Sequence, residues 1–100
     1  MNYMHERHVV SASALPGRPA LAAREGLIAA LQRYAEEKGA GFSLYPMAEG
    51  PVLAEMVFPT AELASEFAAR LRRTGDYDDI QTRSETVDLC ELARQQEQRN

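Results

Sequence analysis

The chain is short of the residues on which many functional sites depend, with one cysteine, two histidines and no tryptophan among its 100 residues. The lone thiol, Cys90, cannot form an internal disulfide, and the polar N-terminus lacks the apolar core of a secretory signal. We therefore expect a reducing, cytoplasmic compartment. His5 and His8 are too few to complete a zinc site. These shortages predict a chain with no metal, no cofactor and no catalytic set.

Long apolar runs are also absent. No stretch approaches the roughly 18 apolar residues that cross a bilayer, so we expect no contact with a membrane. The length is that of one domain, and we assign residues 1–100 to it, with flexible ends at 1–7 and 96–100. Hydrophobic residues make up 45% of the chain, which is enough for one modest core.

Lysine is nearly missing, since Lys38 is the only one beside ten arginines. That bias is typical of a GC-rich bacterial or phage genome. The formal net charge is -4. Because affinity for phosphates comes from lysine and arginine, we expect no nucleic-acid partner.

What the sequence does contain is a clear succession of helix and strand patterns. Apolar residues at spacings of three and four predict a helix over 20–38. Strand-like runs at 41–45 and 52–58 predict a hairpin with a loop of about six residues. Thr60 is a suitable N-cap for a second helix, which should end at Gly75.

The two ends of the chain are less clearly patterned. Residues 8–15 have a weak strand pattern, and 77–83 form a further strand candidate. Residues 85–95 predict a final helix, with Ser84 or Thr86 as its cap. Cys90 would lie on the apolar side of that helix, where a packed thiol is expected rather than a nucleophile.

The order of these elements is strand, helix, strand, strand, helix, strand and a last helix. It resembles the ferredoxin-like (βαββαβ) arrangement over roughly residues 8–84. The resemblance implies an α+β fold, in which an antiparallel sheet carries two helices on one face and a C-terminal helix follows. It rests on element order alone and does not select a function.

Glu55 sets the expected orientation of the second hairpin strand, because a charged side chain points to solvent. The even-numbered residues of 52–58 would then face the core. Leu53 and Val57 would share the outer face with Glu55, joined by Tyr45 from the partner strand. So apolar an outer face predicts a cover, which could be the final helix, a second copy of the chain or a different protein.

An acidic cluster follows the second helix and is formed by Asp76, Asp78, Asp79 and Glu85 around Tyr77. It could be a solvated turn, a hard-cation site without the spacing of an EF-hand, or a contact for a basic site on a partner. The predicted partner-binding residues are the three aspartates and the tyrosine of this cluster together with the outer-face group: Tyr45, Leu53, Glu55, Val57, Asp76, Tyr77, Asp78 and Asp79.

The leading functional hypothesis is a small protein-interaction module that binds a protein partner or forms a homodimer. Such a module could be an inhibitor or regulator of the phage or mobile-element type. The alternative is a cofactor-free dimeric enzyme or a small-molecule sensor. Its polar groups would come from Tyr34, Tyr45, Tyr77 and His8 in a cleft between sheet and helices. A structural subunit of a larger complex is a third possibility.

Overall fold

The computed structural model describes residues 4–48 and 50–98 of the chain. Its elements are β1 (Met4–Ala14), α1 (Ala20–Lys38), β2 (Ser43–Pro46), β3 (Val52–Phe58), α2 (Ala61–Thr74), β4 (Tyr77–Asp88) and α3 (Leu89–Gln98). The strands form one sheet in the order β2-β3-β1-β4, and every neighbouring pair is antiparallel. The predicted α+β class with an antiparallel sheet is confirmed. Residues 1–3, 99 and 100, which belong to the predicted flexible ends, and Glu49 in the hairpin loop lie outside the described residues.

Both long helices end at the predicted glycines, and α2 begins at its predicted cap. Gly39 closes α1 in the left-handed conformation with φ 65°, and its N–H donates to the carbonyl of Ala35 at 2.8 Å. The Thr60 hydroxyl accepts from the N–H of Leu63 at 3.2 Å at the start of α2. Gly75 ends α2 with φ 69°. No described helix is long and apolar enough to span a bilayer.

The two long helices share one core with the sheet, and Tyr34 lies at its centre. This side chain is 0% exposed, and its ring stacks on Phe42 with centroids 5.4 Å apart. Phe67 lies 5.4 Å away on another side, and Phe58 completes the group. The Tyr34 hydroxyl donates to the carbonyl of Leu63 at 3.3 Å, so the buried polar end is satisfied.

The predicted start of the first strand and the predicted end of the last strand are both wrong, and the two missed segments pair with each other. β1 begins at Met4 rather than at residue 8, and β4 continues to Asp88 rather than stopping at 83. Residues 4–7 pair with 85–88, from Met4 opposite Asp88 to Arg7 opposite Glu85. Each segment supplies the other's backbone hydrogen bonds, which neither could obtain alone. We call this paired segment the terminal ribbon.

The last helix therefore starts later than predicted. α3 begins at Leu89, and its cap is neither Ser84 nor Thr86. The Asp88 carboxylate accepts from the N–H of Cys90 at 2.9 Å and from the N–H of Glu91 at 3.3 Å. An aspartate that ends a strand and caps a helix marks the boundary between β4 and α3.

The predicted outward orientation of Leu53 is also wrong, since this side chain is 5% exposed and belongs to the core. Ala12 of β1 faces Ala54, whereas the next residue, Ser13, faces Val52. Leu53 is thus the extra residue of a β-bulge, which breaks the alternation of faces. Beyond the bulge the alternation is as predicted, with Val57 only half-buried.

Candidate interaction surface

The sheet has one face that no described helix covers, and we call it the open face. α1 and α2 both pack on the opposite side, where they share one core with Val10 and Ala12. Alternation along the strands places odd-numbered β1 residues and their partners on the other side. The open face is formed mainly by Arg7, Val9, Tyr45, Glu55, Val57, Arg83 and Glu85.

An ionic network crosses the open face. The Nε of Arg7 donates to one carboxylate oxygen of Glu85 at 2.8 Å, and the Nε of Arg83 donates to the other at 2.7 Å. Arg83 also forms an ion pair with Glu55. Because β1 lies between β3 and β4, this last pair bridges the central strand. Two positive and two negative charges balance, so the network carries no net charge.

Hydrogen bonds within the network favour the charged forms of Glu85 and Arg83. Hydrogen bonds from Arg83 and then from Arg7 lower the pKa of Glu85 below its ordinary value. The hydrogen bond to Glu85, followed by that to Glu55, raises the pKa of Arg83. Both glutamate side chains are partly shielded, at 24% and 29% exposure for Glu55 and Glu85. Glu85 and Arg83 therefore remain ionised throughout the neutral range.

Val9 shows what the network does to the surface. It lies outside the helix-side core yet is only 1% exposed, and its partners on the neighbouring strands are Val57 and Arg83. The arginine stem and its ion pair therefore shield this valine from the open side. With Leu53 in the core, the apolar area left on the open face is smaller than predicted. It consists mainly of Tyr45, at 52% exposure, and part of Val57.

The final helix does not cover the open face. α3 continues directly from β4 and makes its main contacts with that strand. Two large apolar side chains remain exposed where the helix leaves the terminal ribbon, Met4 at 50% and Leu89 at 48%. The sequence suggested three possible covers for this face, and the first of them, the final helix of the same chain, does not lie on it.

The acidic cluster at the start of β4 is partly neutralised within the chain. Asp76 forms an ion pair with Arg18 at 2.9 Å. The Tyr77 hydroxyl donates to the carbonyl of Ala23 at 3.3 Å, and burial, with Asp76 adding to it, raises the pKa of Tyr77. Asp78 and Asp79 are exposed. Tyr77 thus ties β4 to α1, and Asp76 ties the turn before β4 to the turn before α1. Asp79 accepts a hydrogen bond from the Nε2 of Gln81 at 2.9 Å, and neither Asp78 nor Asp79 has an ion pair among the described residues.

The predicted partner-binding residues do not form one surface. Tyr45 lies directly opposite Glu55, and both share the open face with Val57. Leu53 is in the core. The acidic cluster lies at the start of β4, where Asp79 is two residues, about 7 Å along the strand, from Gln81. Gln81 faces Ser11, whose partner on β3 is Glu55. The structure therefore removes Leu53 from the predicted surface and places the acidic turn, formed by residues 76–79, at the border of the open face.

The polar groups of the small-molecule alternative are also separated. Tyr34 is in the core and Tyr45 on the open face. Tyr77 borders a groove of about 390 Å³ between α1 and α2, where Arg70 is held by both oxygens of Glu37 at 2.9 and 2.6 Å. His8 borders a different cavity, of about 270 Å³, between α2 and the β1–β4 pair.

Sequence reasoning missed the arginines of the open face, and it assigned Glu85 to the acidic cluster instead of to this network. Their signal was the alternation of Arg83 and Glu85 at a spacing of two, which is the strand period. It was hidden because the predicted strand ended at 83 and the glutamate was assigned to a helix. Arg7 was hidden in the same way, within a predicted flexible end.

Comparison with known proteins adds evidence on the fold. No family model matches the chain, and no curated protein sequence matches it either. Among solved structures, the chain is similar to the solution structure of a hypothetical protein of Arabidopsis thaliana, with 16% sequence identity and a TM-score of 0.55. The match covers 83% of this chain and 88% of the other. The likeness shows the fold, an α+β arrangement with a four-stranded antiparallel sheet.

Proposed function

We propose that this chain is a protein-interaction module that binds a second copy of itself through the open face. The observation that carries the proposal is the charge-balanced network of Arg7, Glu55, Arg83 and Glu85 beside the exposed ring of Tyr45, on a sheet face without a cover. An interface needs an apolar anchor surrounded by satisfied polar groups, and this face offers both.

Charge supports a second copy as the occupant. A twofold interface places the same patch on both sides, so a patch of one sign would repel itself. The open face has positive and negative groups side by side with no net charge. The acidic turn, by contrast, would bring like charges together in such a pair. Self-association therefore fits the open face and disfavours the acidic turn.

The shape of the chain supports the same occupant. Its dimensions are 45 × 29 × 21 Å and its radius of gyration is 14.7 Å, against about 13 Å expected for a compact chain of this length. A broad face of this size can supply the roughly 800 Å² per partner that stable interfaces bury. The terminal ribbon and α3 account for part of the extension, and Leu89 offers an apolar contact to a partner there.

We also propose that the fold is of the ferredoxin-like type. The alternation of strands and helices before α3, together with the strand order β2-β3-β1-β4, supports this assignment. Its relevance to function is geometric. A sheet that has helices on one face only leaves the other face available for association.

Light scattering on two matched variants tests the proposal. Tyr45→Asp places a charge on the open face, and Leu21→Asp places one on α1, where the leucine is 67% exposed. Both remove an exposed apolar side chain, so neither should lower the free energy of unfolding of the single chain appreciably. We expect the wild type and Leu21→Asp to run at about twice the 11.1 kDa of one chain and Tyr45→Asp at the single mass.

A wild-type chain that stays at the single mass up to millimolar concentration would refute self-association. The partner would then have to be a different protein, as in the inhibitor hypothesis. In that case charge reversal at Asp78 and Asp79 becomes the informative change, because a basic partner would associate more slowly with the variant. In the self-association account the same reversal leaves the mass unchanged.

A further inference from the structure

His8 is a nearly buried titratable group with a defined partner. Its side chain is 12% exposed, and its Nδ1 lies 2.9 Å from the hydroxyl oxygen of Ser84. The two residues are 76 positions apart in sequence and meet because they are direct partners in the β1–β4 ladder. Backbone pairing therefore holds the imidazole and the hydroxyl in register.

The second ring nitrogen of His8 lacks a comparably close partner among the described residues. The carboxylate of Glu6 lies 3.7 Å from Nε2, which exceeds a hydrogen bond. Glu6 is two residues away on the same strand, and its side chain is 64% exposed. The imidazole is thus anchored at one nitrogen and has hydrogen-bonding capacity left at the other.

The ring borders the cavity of about 270 Å³ described above. On the strand side the lining is His8, Thr82, Arg83 and Ser84; on the helix side it is Ala61, Ala64 and Ser65. Methyl groups of the two alanines give one apolar wall, and three hydroxyls with the imidazole give a polar one. The lining contains no carboxylate. Arg83 is already engaged by Glu55 and Glu85.

We propose that this cavity is a binding site for a small organic monocarboxylate, held by His8 and the hydroxyls of Ser65, Thr82 and Ser84. The polar wall can donate to a carboxylate from every side chain, and the first turn of α2 places the positive end of a helix dipole at Ala61. The volume lies just under the roughly 300 Å³ at which drug-sized pockets begin, so the ligand is small. The apolar wall suits a short alkyl or aromatic body.

The ring nitrogen of His8 that is not bonded to Ser84 is available to donate to the carboxylate of the ligand. The other charged groups near the ring are Glu6 on β1 and Arg83 on β4, and α2 contributes Ser65 to the lining but no charged side chain. The inference does not depend on self-association, because His8, Thr82 and Ser84 face the helix side of the sheet, and the side chain of Arg83, which lies on the open face, takes no part in holding the ligand.

Benzoate is the test ligand and benzamide its uncharged counterpart, added to the full chain labelled with ¹⁵N. Benzoate should shift the amide signals of Ala61, Ala64, Ser65 and Thr82, which border the cavity. His8→Gln should weaken binding at least tenfold, and Ser84→Ala roughly two- to tenfold, as expected for the loss of one hydrogen bond. The matched control is His5→Gln, since His5 lies on the opposite face of β1 and should leave binding unchanged.

Ser65→Leu provides a second variant in case His8→Gln does not fold. Ser65 is exposed on α2, so a leucine there fills the cavity without touching the His8–Ser84 pair. It should abolish the benzoate shifts while the chain remains folded. Three results would overturn the proposal: no shift at these amides with about 20 mM benzoate, binding of benzamide as tight as that of benzoate, or unchanged binding by Ser65→Leu. The concentration is set by the millimolar affinity expected of so small a ligand.

Discussion

Arg83 on β4 and Glu55 on β3 form an ion pair that spans the central strand between them. Ion pairs between neighbouring strands are common on sheets, but this one joins strands that do not touch. Val9, which lies on the intervening strand β1 under this ion pair, is only 1% exposed. The ion pair and the stem of Arg83 cover Val9, so an apolar residue can lie at the centre of an uncovered sheet face.

A double-mutant cycle measures this coupling. Arg83→Gln and Glu55→Gln should each lower the free energy of unfolding, and the interaction energy from the cycle should be about 0.5–1 kcal/mol, as expected for partly exposed pairs. Arg73→Gln is the matched control, because the bond that Arg73 forms among the described residues lies within its own helix, to the carbonyl of Ala69. An interaction energy indistinguishable from zero would show that the pair does not stabilise the sheet.

The lowered pKa of Glu85 predicts how the free energy of unfolding declines at acidic pH. Its folded-state pKa is lowered from the ordinary value of 4.5, first by the hydrogen bond from Arg83 and then by that from Arg7. A lowered folded pKa contributes stability that is fully present above about pH 4.5 and is lost as the pH falls below it, through the folded-state value. Denaturant unfolding from pH 7 down to about pH 3 should show a shallower decline for Glu85→Gln than for the wild type. Parallel curves for the two proteins would contradict the assignment, and added salt should reduce their difference.

The bulge at Leu53 predicts unequal costs for two truncations on β3. Leu53→Ala should lower the free energy of unfolding by about 2–4 kcal/mol, because it empties part of the core. Val57→Ala should cost about 1 kcal/mol or less, since the valine is only half-buried on the open face. Equilibrium unfolding in urea checks both. Equal losses would indicate the regular alternation expected from the sequence instead of a bulge.

The close approach of Gly26 and Tyr77 predicts that Gly26→Ala has different effects on stability in two backgrounds. A β-carbon at Gly26 would lie 3.1 Å from the Tyr77 hydroxyl oxygen, slightly too close. Alanine is favoured over glycine in a helix interior by about 0.5–1 kcal/mol, so the contact and the propensity oppose each other. Gly26→Ala should be near neutral in the wild type and stabilising by about 0.5–1 kcal/mol in a Tyr77→Phe background, measured by thermal unfolding. A substitution that is equally unfavourable in both backgrounds would rule out the hydroxyl as the cause.

The helices were predictable because their signals are local. Gly39, Thr60 and Gly75 act on the backbone next to them, and each one ends or begins a helix as its chemistry predicts. The stripe of apolar residues in α2 packs into the core for the same reason: its spacing of three and four is a property of one segment.

The open face and the His8 cavity were not predictable to the same degree, because their signals are pairwise. Nothing near Arg7 in the sequence shows that Glu85 will lie opposite it, and nothing near His8 points to Ser84. The register of β1 against β4 decides both contacts, and it also turns a predicted helix start into a strand end. The bulge at Leu53 belongs to the same class, since it depends on Ser13 of another strand.

The most direct test of the central claim is an isotope-filtered nuclear Overhauser experiment on a mixture of labelled and unlabelled chains, which detects only contacts between copies. The account predicts intermolecular signals from the Tyr45 ring and the Val57 methyl groups, because both lie on the open face. Intermolecular signals confined to the outer surfaces of α1 and α2, or no intermolecular signal at a concentration of about 1 mM, would contradict it.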